Sequence, residues 1–148
     1  MAGEAIGNDQ HVVRHCESKF FFDDDSISPA NFMLRRKEAE VEEYLSVGWL
    51  EIYAPGPRPD QIAAYRTVIH PNIRKFKTSD KLGVLNVGKT KETIRANTPD
   101  SRLLPFRHWP MPAPKEDAGH AGIHNTADNE TRVAELIAST VIDVYPAR

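Results

Sequence analysis

The chain is 148 residues long, 40% hydrophobic and 27% charged, which suits one domain with a single core and sets it apart from a disordered chain. It lacks the run of about 18 apolar residues that a membrane span needs; its start, MAGEAIGNDQ, has no basic and apolar signal-peptide regions; and a lone cysteine, Cys16, excludes an internal disulfide and a CxxC zinc knuckle and fits a reducing cytoplasm. The net charge of -2 is unevenly spread: residues 1–60 carry 6 basic and 12 acidic side chains, 61–107 carry 10 and 3, and 108–148 carry 3 and 6.

Taken in chain order, residues 1–9 read as a flexible tail ahead of one domain over 10–148. The segment Gln10–Cys16, with β-branched residues at its centre, predicts a strand. The turn cluster Asp23–Asp25, Ser26, Ser28 and Pro29 separates it from a second extended segment, Ala30–Arg35, with Phe32 and Leu34 on one face. Arg36–Glu43 is a charged turn or short helix. Residues Tyr44–Tyr53 are the most apolar and aromatic stretch and predict a core strand with a bulge or a bend at Gly48, ended by Pro55, Pro57 and Pro59.

Asp60 is a reasonable cap for a helix over 61–70, with Ile62, Tyr65 and Ile69 along one face, stopped by Pro71. Leu82–Val87 is β-prone, and Thr93–Arg95 is placed beside it as a partner strand. Five prolines between 98 and 118 exclude a helix there, yet Leu103, Leu104, Phe106, Trp109 and Met111 need burial, so this arm lies extended across the domain as an edge strand or polyproline-like segment. A terminal helix capped by Asp128 carries a stripe of Val133, Leu136, Ile137, Val141 and Val144 up to Pro146. The order argues for a single α+β domain with a mainly antiparallel sheet, a mid-chain helix and a C-terminal helix.

No motif of known chemistry stands out. His15, Cys16, His120 and His124 are residue types that zinc uses, but a strand turns His15 and Cys16 to opposite faces, and no metal site is assigned. Gly88-Lys89-Thr90 mimics the end of a phosphate-binding loop without the strand and helix that loop needs. A nicotinamide-nucleotide site of the ADP-ribosyltransferase kind would place Arg14 or His15 on one strand and Ser46 on another, with Glu51 as the candidate acid. The basic block, Arg74, Lys75 and Lys77 through Arg95, would attract phosphates or an acidic partner if it formed one surface.

Three short motifs, His15-Cys16, then Asn31-Phe32 leading to Tyr44-Leu45-Ser46-Val47-Gly48-Trp49-Leu50, then Gly119-His120-Ala121-Gly122-Ile123, resemble a group of small bacterial proteins without an established activity that look like accessory members of multigene conflict or defence loci. The likeness runs in outline over residues 11–143 and implies a shared fold. The resulting expectation is a cytoplasmic accessory or interaction protein that binds a protein partner through Trp49, Phe106, Trp109 and the basic Arg74, Lys75 and Lys77, with nucleic acid or nucleotide as a further partner of segment 74–95 and no cofactor or membrane contact. The alternative is a small enzyme acting on a nucleotide or phosphate-bearing substrate, with His15, Ser46 and His120 in one pocket.

Overall fold

Side chains of His11–Cys16 (β1) alternate between two cores at the centre of the molecule: Val12 and Cys16 are fully buried on one side and Val13 on the other. The structure is a computed structural model that describes residues 3–34, 36–37, 40–70, 77–126 and 131–148. Leu45–Trp49 (β4), Lys81–Asn86 (β5), Phe106–His108 (β6), His120–Ile123 (β7) and Val141–Pro146 (β8) join β1 in a six-stranded antiparallel sheet of order β6-β7-β4-β1-β5-β8. Arg36–Lys37 (β2) and Glu40–Val41 (β3) form a separate two-stranded ribbon. The helices are Leu50–Tyr53 (α1), Arg58–Ile69 (α2), Val87–Asn97 (α3) and Arg132–Ser139 (α4). The expected α+β domain, with its antiparallel sheet, mid-chain helix and C-terminal helix, is the one observed.

Both faces of the sheet are covered. Val12, Leu45, Val47, Leu85, Phe106 and Ile123 pack under α3 and α4, where Ile94 and Ile137 close the larger core. On the other face Val13, Leu82 and Val84 meet Leu50, Ile62 and Tyr65 of α1 and α2 in a smaller one.

Several elements differ from the sequence reading. Residues 30–34 do not form a strand, and Arg35 lies outside the described residues: Pro29–Phe32 is a 3-10 turn whose Ser28 cap accepts a bond from the Ala30 N–H, and Phe32 is driven into the core. The stretch 44–53 is half strand and half helix, and Gly48 stays in register with both neighbours instead of bulging. Thr93–Arg95 belongs to α3, because Asn86 caps that helix through the Lys89 N–H and Val87 and Ile94 reach the core from it. The mid-chain helix begins earlier than expected, at Arg58 after Pro57.

The C-terminal stripe divides between two elements. Val133, Leu136 and Ile137 are buried on α4, but Thr140 ends the helix by bonding back to Ile137 O, and the β-branched run that follows becomes edge strand β8. Asp128 lies outside the described residues; Thr131 stands at the cap position. At the opposite edge, Gly3 N–H donates to His108 O at 2.7 Å, Ile6 N–H donates to Phe106 O at 3.0 Å, and Ile6 sits in the core.

Candidate functional site

The strand pairs at the middle of the sheet are unequal. Strand β1 pairs with β5 from His11 to Cys16, and β4 pairs with β7 from Leu45 to Gly48, whereas β1 and β4 pair only at Val12 with Trp49 and Val13 with Gly48. Beyond that point Arg14 stands where ladder bonds would be. Its Nε donates to Asn31 O at 2.9 Å and its Nη1 to Ser46 O at 2.8 Å, so a buried arginine, 6% exposed as a residue, ties β4 to the loop after β1. Buried acceptors are thereby satisfied without a continuous ladder. Asn31, wholly buried, secures the loop by accepting from the Glu17 N–H at 2.9 Å and donating to Phe20 O at 3.1 Å.

A cleft of about 260 Å³ opens over this parting, and Arg14, His15, Ser46 and His120 all line it. Register explains this for His15, Ser46 and His120, while Arg14 comes to the cleft through the parting it bridges. Val13 lies opposite Gly48 and Gly48 opposite His120, so His15, Ser46 and His120, each two residues from one of these positions or at one of them, share a face. Glu17, Glu42 and Asp117 contribute carboxylates to the same cleft, and Tyr65 and Ile69 of α2 form an apolar wall. Larger depressions elsewhere, of about 350 Å³ beside α3 and about 610 Å³ beside β8, include none of the three residues His15, Ser46 and His120.

Both cleft histidines are held in one tautomer. His15 Nε2–H donates to Asp80 Oδ2 at 2.9 Å, which makes Nδ1 its acceptor nitrogen. Burial is the main influence on this ring and holds its pKa below the usual histidine value despite Asp80. Burial by itself would raise the Asp80 carboxyl, but donation from the Ser18 and Lys77 N–H groups and from His15 outweighs it and keeps it ionised below its ordinary range. His120 Nδ1–H donates to Trp109 O at 2.8 Å, so Nε2 is the basic nitrogen there.

The cleft is shaped by tyrosines lying against glycines. A Cβ on Gly48 would come within 2.7 Å of Tyr65 and 2.9 Å of the Tyr53 hydroxyl, and one on Gly119 or Gly122 would overlap the rings of Tyr53 or Tyr44. Only glycine permits these close approaches. Tyr44 then packs its ring against His120 and His124, with centroids 5.9 and 5.2 Å apart.

The remaining sequence candidates are dispersed. Trp49 donates to Gln10 Oε1 at 2.8 Å and sets its ring edge-on to His108. Phe106 is 2% exposed and belongs to the core, while Trp109, on the same arm, is 45% exposed. Lys77 is exposed and borders a small pocket with Glu17, Lys19 and Asp80; Arg74 and Lys75 lie outside the described residues. Glu51 accepts from both the backbone and ring of His11 at 2.8 Å, at the paired end of β1 and away from the cleft.

Gly88-Lys89-Thr90 lies in the first turn of α3, directly after strand β5, contrary to expectation. The first N–H groups of α3 are nonetheless spoken for: Val87 donates to Gln10 O, Gly88 to Asn8 O and Lys89 to Asn86 Oδ1. A phosphate would have to displace these bonds. Among the described residues no three His, Cys, Asp or Glu side chains are arranged to hold a metal ion, and no helix is long and apolar enough to cross a membrane.

Sequence reasoning did not single out Asp80 or Asp117. Each acts on a residue more than 60 positions away, Asp80 on His15 and Asp117 on Tyr53, and nothing local marks that pairing. No protein-family model, curated protein or solved structure matches the chain.

Proposed function

We propose that the cleft binds a nucleotide or another phosphate-bearing small molecule, and that the protein is a small enzyme acting on it in the manner of an ADP-ribosyltransferase. One observation carries this reading: His15, Ser46 and His120, from three different strands, line a single cleft together with Arg14. A hydroxyl, a tautomerically fixed imidazole and a permanent cation in one partly enclosed space are the components of acid–base chemistry on an anionic substrate. His120 Nε2 is the base, Ser46 orients the ligand, and Arg14 supplies the positive charge. The volume suits one nucleoside-sized portion of a ligand, with the rest extending over the rim.

Calorimetric titration with ATP, NAD and AMP tests this. Binding of at least one, weakened about tenfold or more by Ser46→Ala and by His120→Ala in folded protein, is expected, since each removes a polar contact in a desolvated site. Absence of binding by all three overturns the reading.

The arm favours a second reading, an accessory protein that docks a protein partner, as the resemblance to conflict and defence loci implies. Trp109 and Met111, 45% and 37% exposed, are apolar side chains on a hairpin closed by paired backbone bonds between Met111 and Asp117. Capture of the same host protein by wild type and by folded Trp109→Ala counts against it.

A further inference from the structure

The hairpin that carries the exposed Trp109 also places Asp117 in the lining of the cleft. Asp117 is 6% exposed, and its Oδ1 accepts from the Tyr53 hydroxyl at 2.6 Å and from the Gly119 N–H at 3.2 Å. Among the described residues no donor reaches Oδ2. Oδ2 is not one of the buried side-chain atoms left without a partner, so it meets the water of the cleft, and a ligand donor would take that water's place.

Tyr53 is held as firmly as the carboxylate it serves. Its ring fills the space beside Gly48 and Gly119 and meets Tyr65 edge-on at 5.4 Å. Burial above all, and then the Asp117 charge, pushes the phenol far above its ordinary pKa, so the proton stays on Tyr53 and the bond is always donated to Asp117. The pair sits at the closed end of the parting, near Gly48, whereas His15 and Ser46 lie toward the open end.

We infer that Asp117 reads the sugar hydroxyls of the cleft's ligand through Oδ2, with Tyr53 as its positioning residue. The inference rests on the cleft taking a nucleotide. A phosphate is repelled by a carboxylate and belongs toward Arg14, whereas a vicinal diol supplies the O–H donors that Oδ2 lacks. The nucleotide therefore enters with its ribose at the closed end and its phosphate toward the gap that Arg14 bridges.

The test is titration with adenosine 5′-monophosphate and its 2′,3′-dideoxy counterpart. Wild type is expected to prefer the ribonucleotide about tenfold, the size of a hydrogen bond to a charged group. Asp117→Asn and Tyr53→Phe should erase most of that preference while leaving dideoxynucleotide affinity near wild type, an effect that general loosening of the cleft would not produce. Tyr53→Phe keeps the ring packing, so it remains informative if Asp117→Asn does not fold. Equal affinity for the two nucleotides in wild type, or a preference unchanged in folded Tyr53→Phe and Asp117→Asn, overturns the inference and leaves the cleft reading standing. Binding of neither nucleotide overturns the inference, and overturns the cleft reading too where ATP and NAD also fail to bind.

Discussion

On the face of the sheet that meets α3 and α4, Val12, Leu45, Val47, Leu85, Ile123 and Phe106 put an apolar side chain at nearly every inward position. On the opposite face the same strands carry His15, Ser46, Gly48, His120 and Gly122, and the apolar contribution shrinks to Val13, Leu82 and Val84 beneath α1 and α2. The first face is a dry, close-packed layer and the source of most burial energy. The second is thinner, gives its space to tyrosine rings and polar groups, and opens into the cleft. Stability and candidate chemistry are thus assigned to alternate residues of the same strands, and Arg14, in the gap between β1 and β4, is where the two meet.

If this division holds, truncation on the dry face is the most damaging change. Leu45→Ala removes a fully buried side chain and is expected to cost about 2–5 kcal/mol in urea unfolding; a loss near zero would mean that this face is not the main core. Next is Gly119→Ala, whose new methyl would collide with the Tyr53 ring, at a cost of about 1–3 kcal/mol. It should also weaken ligand binding in the cleft, which Leu45→Ala does only in proportion to unfolding. An unchanged unfolding midpoint in Gly119→Ala would show that the tyrosine layer is loose.

A smaller effect is expected outside both layers. Asn86 caps α3 through the Lys89 N–H at 2.8 Å, and Asn86→Ala should cost about 1 kcal/mol with cleft properties intact. The smallest is the dependence on pH. Because burial lowers the His15 pKa, the unfolded chain takes up its proton near pH 6.5 before the folded protein does, so stability is full above that pH and falls as pH drops toward the folded value. His124, lowered first by burial and then by Arg107, adds to the same window, and Asp80, held low by its donors, adds a further decline below about pH 3.8. His15→Gln should flatten part of the decline between about pH 7 and 5 in urea midpoints; an identical slope would remove His15 from this account.

Most of the dry face could be read from the chain. The β-branched centre of His11–Cys16, the heavy apolar content of Tyr44–Leu50 and the spacing of Val133, Leu136 and Ile137 are local patterns, and each marks an element now seen in the core. Local pattern misled where two elements abut. Leu82–Arg95 holds a strand and a helix joined at the single capping residue Asn86 with no loop between them, and Val133–Val144 keeps apolar spacing across the change from α4 to β8. His15, Ser46 and His120 could be named as candidates from residue type, but Asp80, Asp117 and Tyr53 could not, because their roles exist only through contacts between distant segments.

The sequence by itself determined an α+β domain, a buried set on β1, β4 and β5 and an aromatic arm at residues 98–118, because alternation, helical spacing and proline placement act over a few residues. Only the tertiary structure decided that β1 and β4 part after two pairs, that Arg14 bridges the gap and that the cleft lies above it. Register between strands some 30 residues apart is set by which side chains fill the space between them, and no local pattern encodes that.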